Sequence, residues 1–215
     1  MKSKILLTII IIILVSVSGN LTAQVIDKDG YNYDTVTIGA QQWFAENLDV
    51  THFRNGDTIT EIEDATEWQQ AATEGKPAWC YYNSDPTSGI KFHKLYNWYA
   101  VNDPRGLAPD GFHVPSAQEW LILARYLGGE DVAGVKLKAG KGWDGTNAAG
   151  FTALPGGYRN YSSEFVHVSE IGSWWSSTQA NSTDAWSYSL ASHEGIVSKS
   201  YDNKRVGLSV RCLKD

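Results

Sequence analysis

The sequence predicts an α+β domain, with helices gathered in one half and antiparallel strands in the other. Three observations carry this. Two helix-start signatures, at Thr60 and Ser116, lie in the first part of the chain. The later part turns to short alternating runs with polar turns between them: SWWSST, AWSYSL, GIVSKSY and RVGLSVRC. The regular strand–helix–strand order of a parallel sheet is missing.

The chain opens MKSKILLTIIIIILVSVSGNLTAQ. Lys2 and Lys4 precede an apolar run from Ile5 to Val17, and small residues follow near Ala23. That is the layout of a secretory signal peptide. The run is short of the roughly 20 residues a membrane-spanning helix needs. Residues 1–23 are therefore expected to be removed, leaving one exported domain over residues 24–215. Its expected location is the periplasm, the cell surface or the medium, with no stable membrane insertion. Losing the two lysines takes the formal charge from −6 to −8. An acidic chain with scattered basic residues has no electrostatic footprint for nucleic acid.

The elements follow in order. Asp29-Gly30 is a hairpin turn signal between strand-like runs. The D-x-D-G spacing there resembles a calcium loop, but Ile38 stands where the bidentate acid belongs, so a turn is expected. TEIEDATEWQQAAT reads as the first helix. Thr60 and Glu63 form its capping box, Ile62, Ala65, Trp68 and Ala72 its apolar stripe, and Gly75 and Pro77 its end. AWCYYN reads as a strand, NSDPTSG as a loop, and KLYNWYAV as a strand or short helix.

In DGFHVPSAQEW, Ser116 and Glu119 form a second capping box just after Pro115. Trp120, Leu123 or Ala124, and Leu127 recur at helical spacing until Gly128-Gly129. His113 has no Cys, Asp or second His at ligand spacing, so the stretch reads as scaffold. EDVAGVKL is a short helix. Phe151 to Leu154 has strand character, broken by Pro155. In the last run Val206, Leu208, Val210 and Cys212 share one face, with Gly207, Ser209 and Arg211 on the other.

No catalytic constellation stands out. The nucleophile elbow G-x-S-x-G, H-E-x-x-H, C-x-x-C, the P-loop and the dinucleotide glycine fingerprint are all absent. Five histidines are dispersed, and Glu61, Glu63 and Asp64 read as a solvated face. No catalytic residue, metal ligand or cofactor is expected. The remaining signal is aromatic, with nine Trp and eleven Tyr. Adjacent Trp174 and Trp175 point to opposite faces of a strand, so one is core and Trp175 is a candidate for exposure. Trp79 and Tyr81 likewise lie opposite Cys80 and Tyr82. Tyr158, Arg159 and Asn160 follow a tight Gly-Gly. Exposed rings beside polar groups stack on sugars, so these six residues are the candidate ligand site. Two cysteines in an exported chain suggest one disulfide, Cys80–Cys212; two free buried thiols are the alternative.

The runs DGYNYDTVTIGAQQWFAENL, CYYN, LYNWYAV, APDGFHVPSAQEW, DVAGVKLKAGKGW, GFTALPGGYRN, WWSST and GLSVRCLKD occur in this order. Together they resemble the Fibrobacter succinogenes major paralogous domain, a family of exported bacterial domains. HVPSAQEWLILARYLGG is similar to a stretch of the formylglycine-generating enzyme group, which has a C-type lectin-like fold. The resemblance implies two main helices, a curled antiparallel sheet, a loop-rich face, and pairing of N- and C-terminal strands. Two departures matter. Ala108 stands where family members often have Cys, which implies one disulfide lost and Cys80–Cys212 kept. Cys212 stands alone, without the close cysteine pair that the enzyme group uses for copper. The sugar-binding motifs of calcium-dependent lectins are missing too. The leading expectation is a non-catalytic module that binds a polysaccharide or a surface protein. The alternatives are an enzyme derived from that group and a structural or assembly component.

Overall fold

Asp29-Gly30 makes the turn its sequence predicts. Gly30 sits at φ +83°, where a side chain would be strained. It joins strand Val25–Ile26 to strand Asn32–Tyr33. The Asp27 carboxylate braces the turn by accepting from the Asp29 and Tyr31 N–H groups, both at 2.9 Å. The computed structural model describes residues 25–140 and 142–215, and the expected signal peptide lies outside them. Among the described residues no helix is long and apolar enough to cross a membrane.

The molecule is α+β, with short helices and curled, mostly antiparallel sheets. Strand Thr35–Ile38 pairs with Gln41–Phe44. The C-terminal strand Leu213–Lys214 joins them through Leu213 opposite Trp43 and continues to Phe112–His113. The C-terminal strand thus pairs with an early strand, Gln41–Phe44, but not with the first one, because Val25–Ile26 stays in a separate two-stranded sheet with Asn32–Tyr33. A second sheet holds Thr60–Glu61, Ala78–Cys80 and Leu95–Tyr96. The third runs Phe165–Val168, Gly156–Arg159, Ile171–Gln179, Asp184–Ala191 and Ser198–Asn203, side by side in that order. Its last three strands form the expected antiparallel meander.

The final run does not extend that meander. It threads between the sheets, bridging Leu208 to Tyr96, Gly207 to Arg159 and Ser209 to Trp174. Its alternation holds, since Val206, Leu208, Val210 and Cys212 enter one apolar cluster. The opposite face is covered as well: Ser209 and Arg211 are buried. Phe151 to Leu154 is also not a strand, and only Ala153 bridges Lys138.

Helix α1 (Ala65–Thr73) starts later than expected. Thr60 is in a strand, and Asp64 is the cap, accepting from Thr66 N at 2.8 Å and Glu67 N at 2.9 Å. Trp68, Ala71 and Ala72 form the buried stripe, while Ala65 is exposed. The expected loop at residues 83–89 contains helix α2 (Pro86–Phe92), capped by Asp85 with Pro86 in the first turn. KLYNWYAV divides into strand Leu95–Tyr96 and helix α3 (Trp98–Val101), capped by Asn97. Helices α4 (Ala117–Tyr126) and α5 (Glu130–Leu137) lie where the sequence predicts them.

The Ser116–Glu119 capping box is formed. Glu119 accepts from Ser116 N at 2.7 Å and Ser116 Oγ at 2.8 Å, and its other oxygen meets His113 Nε2 at 3.0 Å. His113 Nδ1 reaches Asp215 at 2.8 Å, so the ring ties the helix start to the C-terminal strand. Burial alone would raise the Glu119 carboxyl. The Ser116 and His113 contacts outweigh it and hold the group below its ordinary value. A carboxyl depressed by folding adds stability above its unfolded value, about 4.3 for Glu, and loses it as pH falls through the folded value. Denaturant melts between pH 6 and pH 2 should therefore show a shallower acid loss for Glu119→Gln than for the natural protein. Identical acid slopes would remove Glu119 from the acid response.

The core is aromatic. Trp120 stacks on Tyr188 at 5.1 Å and 14° and leans on Trp43 at 5.1 Å. Every tryptophan except Trp186 is buried. The expected Cys80–Cys212 bond is not made in the structure: both thiols are free and buried. Cys80 packs under α1 with Trp68 and Leu95, whereas Cys212 packs with Phe44-side residues in another cluster. Burial pushes the Cys80 thiol up to about 12 and raises Cys212 as well.

Candidate functional site

The six candidate ligand residues do not make a surface. Trp175, expected outside, has no exposed area, and Trp79 is 5% exposed. Trp175 donates its indole N–H to Tyr96 O at 2.8 Å, and Trp79 donates to Ile59 O at 3.0 Å. Tyr81 is half-buried, edge-on to Trp79 at 5.2 Å, with the backbone of α2 across it at Gly89. Trp79 and Trp175 share one core cluster, and Tyr81 and Tyr158 pack on its margin. The structure thus places Trp79 and Trp175 in the interior, with Tyr81 and Tyr158 half-buried at its margin.

Arg159 is a correction of the same kind. It is 1% exposed, between the Trp68 ring at 4.6 Å and the Phe165 ring at 5.0 Å. Its guanidinium donates to Ile62 O at 2.8 Å, Glu63 O at 2.9 Å and Ser163 O at 3.3 Å. Asn160 is a turn residue whose side-chain oxygen accepts from Ser162 N and Glu164 N, each at 2.9 Å. Tyr158 alone leads toward a concave surface, because it stacks on His167 at 5.7 Å.

That surface is a groove of about 650 Å³. Three segments build it: Gly142 to Asp144 after α5, His167 to Ile171 across the turn that joins two strands, and Ala191 to His193 at the end of the next. It is about twice the volume of the cleft beside α1, about 330 Å³. Ile171 and Ala191 supply apolar wall, and Trp143, 3% exposed, backs it from beneath. Trp143 is fixed by donating its N–H to Glu170 O at 3.1 Å. The rim carries two histidine–carboxylate pairs, His167 Nδ1 to Glu170 at 2.9 Å and His193 Nδ1 to Asp144 at 2.6 Å.

The groove wall is backbone-strained. Asp144, His167, Ser169 and His193 have φ of 49°, 61°, 68° and 62°. They are four of the ten non-glycine residues with positive φ in the described chain. Such residues are tolerated where surrounding structure holds them, and they gather at ligand sites. At the His193 turn the holding group is Lys138. Its ammonium is buried behind the wall and donates to Ala191 O at 3.1 Å and Glu194 O at 2.8 Å. Burial lowers the Lys138 proton affinity, opposed by nearby Asp144 and Glu194.

Asp144, Glu170 and His193 come from separate loops, so no spacing in the sequence brings them together. The His-x-x-Glu of residues 167–170 is the only local sign. Among the described residues, no three His, Cys, Asp or Glu side chains converge to hold a metal ion.

The described chain is thus an α+β domain with one loop-built, polar-rimmed groove as its candidate site. It belongs to the Fibrobacter succinogenes major domain family, which it matches over residues 36–214. No curated protein and no solved structure matches it.

Proposed function

We propose that this protein is an exported, non-catalytic binding module that takes a saccharide in the groove between Trp143, Glu170 and His193. The observation that carries this is the groove itself. Its volume, about 650 Å³, lies in the range of small-ligand sites. Its apolar wall suits the C–H faces of a sugar ring. Its paired imidazoles and carboxylates have hydrogen-bonding capacity left for hydroxyls. Stacking on exposed tryptophan, the mode the sequence first suggests, has no platform here. We also infer a C-type lectin-like arrangement; the pairing of Leu213 with Trp43 supports it. Fold likeness alone assigns no ligand.

The test is a glycan array probed with the purified protein, with and without EDTA, followed by titration of each hit. Glu170→Ala and His193→Ala are expected to weaken a genuine hit by roughly tenfold each, the value of one or two hydrogen bonds. EDTA is expected to change nothing. A blank array from correctly folded protein would overturn the reading, as would hits indifferent to both substitutions.

A further inference from the structure

We propose that the groove selects an amine-bearing sugar, whose ammonium docks against the Asp144 and Glu170 carboxylates. This deepens the binding reading above and rests on it.

The argument is a count of donors and acceptors. A carboxylate only accepts, so the Nδ1 atoms of His167 and His193 must carry the protons shared with Glu170 and Asp144. In the neutral ring that makes each Nε2 an acceptor. Among the described residues, the Asp144 and Glu170 side chains have no other hydrogen-bond partner, so both keep lone pairs free. Two of the nearby donors point inward, which leaves the exposed Ser169 hydroxyl as the neutral donor on the rim. Trp143 donates to Glu170 O at 3.1 Å, and Ser192 Oγ donates to the same carbonyl at 3.1 Å. No Lys or Arg is among the described lining residues. Lys138 lies behind the wall with its ammonium on two carbonyls. Among the described residues the groove rim therefore offers mainly acceptors, with negative charge at Asp144 and Glu170. A donor-rich cation complements it, and an acidic sugar would be repelled.

The experiment is calorimetric titration with a glucosamine oligosaccharide and with its fully N-acetylated counterpart, at pH 7, where a substantial share of the sugar amine is charged. A lysine-rich peptide serves as a third probe. The glucosamine oligomer is expected to bind up to about fivefold more tightly than the acetylated one in low salt, the worth of one solvent-exposed ion pair. That preference should disappear in high salt and in Asp144→Asn with Glu170→Gln. Equal binding of both oligomers, still weakened by the two substitutions, would overturn the amine preference while the groove reading stands. Binding of the peptide and of neither oligomer would overturn the sugar. Binding of neutral sugars indifferent to both substitutions would overturn the groove itself. The acetylation and salt comparisons use the natural protein, so a misfolded variant does not spare the proposal.

Discussion

Trp175→Ala is expected to lower the unfolding free energy by about 3–5 kcal/mol, the usual cost of emptying a large aromatic site in a core. For a domain of this size the melting temperature should fall on the order of 10 °C. Trp175 has no exposed area and packs in the cluster that also holds Trp79, Val210 and Cys212. The loss is mainly cavity and packing. Its indole partner, Tyr96 O, keeps a second donor in Leu208 N at 3.1 Å, so no carbonyl is orphaned. Trp186→Ala is the control. Trp186 is only half-buried, with Lys199 Nζ over its ring at 4.1 Å and Tyr201 edge-on at 5.8 Å. Its loss should be well under half that of Trp175→Ala. Urea melts of both variants decide the matter. Equal destabilisation would contradict the burial of Trp175, and a binding defect in a fully stable Trp175→Ala would return it to the ligand site.

Local signals were legible because their physics is local. The Asp29-Gly30 turn and the Ser116–Glu119 box are each settled by a few neighbouring residues. The first helix shows the limit. Thr60 and Asp64 both precede a capping-type pattern, and strand pairing of Thr60 with Ala78 leaves the cap to Asp64. The α2 start, Asp85-Pro86-Thr87, carries a cap and a first-turn proline inside the stretch NSDPTSG, which reads as a loop.

The aromatic residues misled for a different reason. Alternation tells which side chains share a face, not whether anything covers the other face. Trp174 and Trp175 do point to opposite sides, and each side has its own cluster. Ala78, Trp79 and Cys80 are all buried because the strand is covered on both faces. Arg159 and Arg211 add to this, since a charged residue is expected outside unless its interior partners are known. Those partners are mostly carbonyls, which every sequence has. The groove was illegible because its two ion pairs join loops that only the fold brings together, except for the near pair His167 and Glu170.

Arg211→Lys is expected to destabilise the protein more than Arg211→Met. Arg211 is 1% exposed, and burial pushes its guanidinium down to about 9, so its charge is held at a cost. What offsets the cost is the planar fork. One end donates to Phe44 O at 3.0 Å and Phe151 O at 2.6 Å, the other to Asn47 Oδ1 at 3.0 Å, and the plane lies 4.2 Å from the Phe151 ring. Lysine keeps the buried charge without the fork. An uncompensated buried charge typically costs about 3–5 kcal/mol. Methionine removes the charge and leaves two carbonyls short of a donor, at about 1–3 kcal/mol each before the returned desolvation. Urea melts with unchanged slope would rank the three proteins natural, Met, Lys. A Met variant more stable than the natural protein would mean the fork does not repay its burial. Asn47 Oδ1 also accepts from Trp174 Nε1 at 2.8 Å, and Trp174 sits on the strand that begins with groove residue Ile171. Arg211 therefore reaches the groove only through the framework, and its variants should lower stability while the folded fraction binds ligand with unchanged affinity.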